Sequence, residues 1–140
     1  MPGSIFYKVN LIKDKILEYW YFGNFGQFEY NQKLSDKYLV EAKTLFEYSQ
    51  YLLACSALKK SNEYFENIYP NLIQAKKENK NISRKQQLFK EEALKHIEEL
   101  IKLEKEVPNS FYWQPEKTSP TILNLKQLIQ ESINIRKTYL

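Results

Sequence analysis

Apolar residues recur at alternating intervals of four and three along residues 50–79. This spacing is typical of a helix that packs one apolar face against its neighbours in coiled-coil fashion. Because such a face is unstable in water, the segments on either side are expected to cover it. The stripe consists of Tyr51, Cys55, Leu58, Asn62, Phe65, Tyr69 and Leu72, with Asn62 as its polar interruption.

Pro70 lies inside this third predicted helix. A proline in a helix interior removes a backbone hydrogen bond and costs about 3 kcal/mol. The pattern therefore leaves two alternatives: the helix is kinked near residues 65–69, or it breaks and restarts with Pro70 in its first turn. In both cases the polar residues 76–83 are expected to end it.

Two helices are predicted before this stripe, over residues 5–21 and 25–49. Gly23 is expected to end the first of them. The boundary after the second is weakly marked, because residues 48–50 contain neither Gly nor Pro. A tight hairpin near Ser49 suits a compact domain better than one long helix. The inner stripe of the second helix consists of Phe28, Leu34, Tyr38, Ala42 and Leu45.

A fourth helix is predicted from Ser83, acting as N-cap, to Val107, where Pro108 ends it. Residues 109–140 are expected to form an irregular aromatic segment followed by a C-terminal helix that starts at Ser119. The stripe of the fourth helix consists of Phe89, Ala93, His96, Leu100, Leu103 and Val107. The apolar face of the last helix consists of Ile122, Leu125, Ile129, Ser132 and Ile133.

Phe111, Tyr112 and Trp113 are expected to fold back onto the helices. Leaving a large apolar side chain in water forgoes about 1.5–3 kcal/mol. All the elements together predict a single all-α domain over residues 1–140, an antiparallel bundle of four to five helices. The sequence contains only three glycines, too few for the frequent turns of a β-sandwich or barrel.

The composition supports a globular protein, with 43% hydrophobic and 27% charged residues. No apolar run is long enough to span a bilayer, and the N-terminal residues do not have the pattern of a signal peptide. Cys55 is the one cysteine, so no disulfide can form within the chain.

His96, the one histidine, is the first candidate for chemistry. One interpretation is a general base oriented by Glu92 or Glu99, each about one helical turn away. The other, favoured here, is an imidazole packed at the edge of the core, because no nucleophile or glycine-rich loop accompanies it. One Cys and one His also fall short of a zinc site. No catalytic residue, metal or cofactor is therefore predicted.

The strongest charge feature is residues 76–90, called the basic turn below. The whole chain has a net charge of +4 and a pI near 9.0. Such a turn could dock the phosphates of nucleic acid or of anionic lipids. Only Phe89 could stack on a base there, so a solvated turn is favoured. Its cations are Lys76, Lys77, Lys80, Arg84, Lys85 and Lys90, against Glu78 alone.

Aromatic residues crowd the junction between the first two predicted helices. Most are expected to fill the core there, and any exposed part is the best candidate for binding a protein. The candidate interaction surface consists of Trp20, Tyr21, Phe22, Phe25 and Trp113.

Three motifs resemble an uncharacterised helical family of bacterial proteins, known only as a domain of unknown function. They are Pro2-Gly3-Ser4 with Tyr7, the run at residues 35–41, and His96 followed by Val107-Pro108. The similarity spans residues 2–108. Members of that family typically lie outside the membrane behind an N-terminal signal or anchor, so the resemblance implies an extracytoplasmic setting. It implies no catalytic residues.

These observations predict a non-catalytic interaction or structural module that binds a protein partner or itself. The resemblance adds that it is the exported part of a membrane-anchored bacterial protein. The alternative is a small, basic cytoplasmic protein that binds nucleic acid through the basic turn.

Overall fold

A computed structural model describes residues 23–114 and 119–140, which form five α-helices and one β-hairpin. The prediction of an all-α bundle is confirmed. The first predicted helix, with Trp20, Tyr21 and Phe22, lies outside the described residues. The elements are α1 Gly23–Glu47, α2 Tyr51–Glu66, α3 Ile68–Lys77, α4 Ser83–Glu106, β1 Phe111–Trp113, β2 Thr121–Leu123 and α5 Leu125–Lys137.

The bundle consists of two antiparallel helix hairpins that pack side by side. Helix α1 pairs with α2, and α4 pairs with α5. Where α1 meets α4, residue numbers rise together in both helices, so these two helices run in the same direction. The polar contacts that show this are Glu29–Lys85, Asp36–His96 and Lys43–Glu99.

The core follows the predicted stripes. Every residue of the α4 stripe is buried, and the larger core cluster joins α1, α2, α4 and α5. A smaller, aromatic cluster lies where α3 meets α1 and α4. Its buried members are Phe28, Phe65, Ile68, Leu72, Phe89 and Ala93.

The first chain reversal is made by Ser49, which has a φ of 59°. The N–H of Gln50 donates to the carbonyl of Leu45 at 2.8 Å, and that of Ser49 donates to Phe46 at 3.1 Å. These two bonds form a Schellman motif, which normally places Gly at the left-handed position. The expectation of a tight hairpin near Ser49 is confirmed. Asn79, with a φ of 65°, ends α3 in the same way.

The chain breaks before Pro70, as the second of the two alternatives predicted. Asn67 forms a turn after α2, and α3 restarts at Ile68 with Pro70 in its first turn, where no backbone N–H is needed. After this turn the stripe continues through Ile68 and Leu72. Ile68 is buried, whereas Tyr69 is 40% exposed, so its predicted place in the core is wrong.

The fourth helix starts differently from the prediction. Ser83 is its first residue rather than its N-cap. The side chain of Asn81 accepts a hydrogen bond from the N–H of Ser83 at 3.0 Å instead. Asparagine makes this local bond readily because its carbonyl reaches the backbone two residues further on.

The prediction that the segment after α4 is irregular is wrong at Phe111–Trp113. Strands β1 and β2 form an antiparallel hairpin, and α5 starts at Leu125 rather than at Ser119. Aromatic and β-branched residues dominate both strands, and these types favour extended backbone. Strand β2 was assigned to the last helix because a strand of three residues is too short to show its own period of two.

Side chains alternate between the two faces of this hairpin. Phe111 and Leu123 pack against the core, whereas Tyr112 and Ile122, which lie opposite each other, are 57% and 62% exposed. The expectations that Tyr112 folds back and that Ile122 joins a helical face are therefore wrong. Because successive side chains of a strand point to opposite faces, Tyr112 and Ile122 point away from the core.

We predict that Ser49→Gly raises the free energy of unfolding by about 0.5–1 kcal/mol. A Cβ atom in the left-handed region costs about 1–2 kcal/mol, part of which glycine returns as backbone entropy. Urea unfolding followed by circular dichroism measures the change. The control is Ser56→Gly, exposed inside α2, which should lower stability by about 0.5 kcal/mol. If both variants lose stability equally, the left-handed turn is not where we place it.

Candidate functional site

The centre of the bundle holds a fully buried arginine. Ile129, Ile133 and Arg136 lie four and three residues apart, so all three occupy the inner face of α5. Arg136 is 0% exposed. Its guanidinium therefore lies between the two helix hairpins, where a charge needs hydrogen-bond partners to be tolerated.

Four of the guanidinium N–H groups have partners. Nη1 donates to Oδ1 of Asn62 at 2.7 Å and to the carbonyl of Ser132 at 3.0 Å. Nη2 donates to Oγ of Ser61 at 2.9 Å, and Nε donates to Nδ1 of His96 at 2.9 Å. The partners come from α2, α4 and α5, so one side chain connects three helices.

The acceptors around Arg136 are themselves oriented by hydrogen bonds. Nδ2 of Asn62 donates to Oγ of Ser132 at 2.9 Å, and Oγ of Ser61 donates to the carbonyl of Ser35 at 2.7 Å. This explains the polar interruption of the α2 stripe, because Asn62 turns its oxygen to Arg136. It also extends the network to α1 through Ser35.

Burial lowers the pKa of Arg136 to about 10, while Glu66 and Glu92 favour its charged form. The side chain is therefore protonated at neutral pH. The guanidinium also lies over the ring of Phe65, 4.9 Å from its centroid. A cation over an aromatic face is attracted by the ring, and the attraction is stronger when water is excluded.

His96 carries its proton on Nε2. Because Nδ1 accepts a hydrogen bond from Arg136, a proton on Nδ1 would bring two N–H groups together. Nε2 lies 3.1 Å from Oδ1 of Asp36 and 3.0 Å from Oε1 of Glu92. The N–H on Nε2 is therefore shared between these two carboxylates.

The network reaches solvent through the two carboxylates. The side chain of Asp36 is 58% exposed and that of Glu92 is 16% exposed. The hydrogen bond from His96 lowers the pKa of Asp36, so this carboxylate stays ionised. A continuous path of polarised hydrogen bonds thus joins a buried cation to an anion at the surface.

Asp36, Glu92 and His96 form a group that the sequence did not reveal as a metal-binding candidate. One ligand atom from each lies within 4.8 Å of the others. A histidine that binds a metal through Nε2 needs its lone pair there and normally donates from Nδ1–H. Arg136 imposes the opposite tautomer. The residues present therefore do not fit a divalent metal while Arg136 keeps its place.

His96 also offers no lone pair for proton abstraction, because Nδ1 is occupied and Nε2 is protonated. Of the two predicted orienting groups, Glu92 contacts the ring. Glu99 instead pairs with Lys43 and Lys102. The geometry agrees with the packed imidazole that the sequence favoured.

The basic turn is partly neutralised by its surroundings. Lys85 lies 3.4 Å from a carboxylate oxygen of Glu29 and 4.8 Å from the ring centroid of Phe25. Lys80 lies 3.4 Å from a carboxylate oxygen of Glu78. The cations without an ion pair to the rest of the described chain are Lys76, Lys77, Arg84 and Lys90.

The described members of the candidate aromatic surface lie apart. Phe25 is half-buried at the start of α1, beneath Lys80 and Lys85. Trp113 is half-buried on β1, next to Phe111, whose ring contacts Tyr51 beyond the other end of α1. These two residues therefore occupy opposite ends of that helix.

Comparisons with models of protein families, with curated proteins and with solved structures return no match. The family resemblance of the sequence therefore stays a prediction. Across residues 23–114 and 119–140, no helix combines the length and the apolar character needed to cross a bilayer.

We predict that Arg136→Met lowers the free energy of unfolding by about 3–5 kcal/mol, because several buried acceptors lose their donor at once. Arg136→Lys should lose most of this stability too, since an ammonium cannot replace the planar fork of a guanidinium. The control is Lys137→Met, exposed next in the chain, which should change stability by at most about 0.5 kcal/mol. Urea unfolding measures all three variants. Equal effects of Arg136→Met and Lys137→Met would contradict the network.

We predict that nitrogen-15 NMR of the imidazole shows a protonated Nε2 and an unprotonated Nδ1. His96 is the one histidine, so both ring signals belong to it, and their couplings to the carbon-bound ring protons distinguish Nδ1 from Nε2. Adding Zn²⁺ should leave both signals and the thermal unfolding midpoint unchanged. A proton on Nδ1, or ring signals that move with Zn²⁺, would show that Arg136 does not fix the tautomer.

Proposed function

We propose that this chain is a non-catalytic helical module that binds a protein partner. The observation that carries the proposal is the exposed pair Tyr112 and Ile122, called the hairpin pair below. Both side chains lie on the outer face of the β-hairpin, 57% and 62% exposed. Aromatic and aliphatic side chains that remain outside a well-packed core are typical anchors of protein interfaces.

The hydrogen bonds among the buried polar side chains support the same proposal. Arg136, Asn62 and His96 hold one another in fixed hydrogen bonds, and no free base points into a cavity there. Side chains held in this way support a binding role rather than a catalytic one. The exported, membrane-anchored setting implied by the family resemblance remains part of the proposal.

Nucleic-acid binding is the second candidate. It is favoured by the four cations of the basic turn that have no ion pair among the described residues: Lys76, Lys77, Arg84 and Lys90. Phe89, its one aromatic residue, is 2% exposed and cannot stack on a base. The protein-binding proposal therefore ranks first.

We predict that Tyr112→Lys with Ile122→Lys reduces the recovery of a bound protein about tenfold or more. The measurement is quantitative affinity purification from cells that express the gene, since two buried charges would oppose an apolar contact. The matched control is Leu94→Lys with Ile101→Lys, which changes apolar residues of α4 that are 54% and 42% exposed. The control should retain the partner.

Equal recovery with both variants would contradict the proposal. A salt-dependent shift of plain DNA or RNA would favour the second candidate instead. In that case, joint alanine substitution of Lys76, Lys77, Arg84 and Lys90 should abolish the shift.

A further inference from the structure

A groove of about 320 Å³ lies between β2 and the helices α2 and α5. Cys55, Leu128 and Ile122 give it apolar walls, while Lys59 and Glu131 are its charged residues. The groove differs from the arginine network, which is closed to solvent except at its carboxylates. It opens at the same hairpin that presents Tyr112 outward.

The groove runs along the edge of β2. Residues 121–124 all line it, although side chains of a strand alternate between its two faces. A cavity that touches consecutive residues therefore follows the backbone edge of the strand. Strand β1 occupies the other edge, and the main chain of β2 has no further strand partner in the described part of the molecule.

We propose that this groove binds an extended peptide segment of a partner protein, which adds to β2 as a third strand. The inference rests on the proposed function and names the partner's chemistry. A free strand edge beside helices supports binding by strand addition, in which main-chain hydrogen bonds give affinity and side-chain pockets give specificity. One apolar side chain of the segment enters between Cys55 and Leu128.

The charges of the groove specify the segment further. Lys59 and Glu131 are both exposed. Lys59 forms no ion pair among the described residues, and Glu131 accepts a hydrogen bond only from Gln127 there. The bound segment therefore carries an acidic side chain opposite Lys59 and a basic one opposite Glu131. Complementary charges of this kind fix the direction and register of a bound strand.

Cys55 acts as an apolar wall in this site. Burial raises the pKa of its thiol, so the neutral form predominates at physiological pH. A neutral, buried thiol behaves as a small hydrophobic group rather than as a nucleophile.

The test begins with a phage-displayed library of random peptides of about a dozen residues, selected on the intact protein. An enriched peptide is synthesised with a fluorophore, and its dissociation constant is measured by anisotropy. Enriched peptides should share an apolar residue flanked by an acidic and a basic one. Failure to enrich any such peptide would overturn the inference.

Charge reversal provides the decisive variant because Lys59 is exposed and its replacement should not affect folding. Lys59→Glu should weaken binding about tenfold, and a peptide with its acidic residue changed to lysine should restore it. The control is Lys95→Glu, exposed on α4, which should bind as the wild type does. Binding that is insensitive to Lys59→Glu would overturn the site.

Backbone methylation separates strand addition from simple pocket filling. N-methylation of the peptide should weaken binding about tenfold at alternate positions only, since every second amide of an added strand faces β2. Uniform tolerance would overturn strand addition. The proposed function would still stand after such a result if the lysine variant of the hairpin pair loses the bound protein. A dimer that Lys59→Glu dissociates would identify a second copy as the occupant and overturn the partner peptide.

Discussion

The buried guanidinium of Arg136 is the constraint on which the rest of the structure depends. A charge without solvent is tolerated only if its donors are satisfied. Asn62, Ser61 and His96 supply acceptors from two other helices, and Phe65 supplies an aromatic face. Any displacement of one helix hairpin along the other would leave several of these groups unpaired, so the network fixes how the two hairpins meet.

Apolar packing alone would specify this arrangement less strictly. The stripes of α2 and α5 repeat every three or four residues, and similar apolar contacts would form if one helix moved by a turn. Only one offset places Asn62 opposite both Ser132 and Arg136. Polar groups that select one register from several are known from coiled coils, where a single buried asparagine has this effect.

The parts of the fold that depend on local pattern could be predicted from the sequence. The α4 stripe follows from helical spacing, and the missing N–H of proline reduced the possibilities at Pro70 to a kink or a break. The stripe of residues 51–72 was correct except at Tyr69, because the restarted helix buries the adjacent Ile68 instead. The β-hairpin was missed because three-residue strands are too short to show their period against a helical background.

The candidate site was harder to predict because its members meet only through tertiary structure. Arg136 lies 74 residues from Asn62 and 40 from His96 along the chain. One signal was present: Arg136 falls on the inner face of its helix, in line with Ile129 and Ile133. A charged residue at that position indicates a buried polar partner. Asn62, the polar residue in the facing stripe of α2, is that partner.

The arginine network and the proposed peptide groove are mechanically connected. A single residue, Asn124, separates β2 from α5, and α5 carries Arg136 near its other end. Because Arg136 fixes the helix against α2 and α4, it also fixes the strand edge that α5 begins from. A binding edge held in place before its ligand arrives loses less conformational freedom on association. The buried charge thus holds in place the strand edge on which the proposed binding site depends.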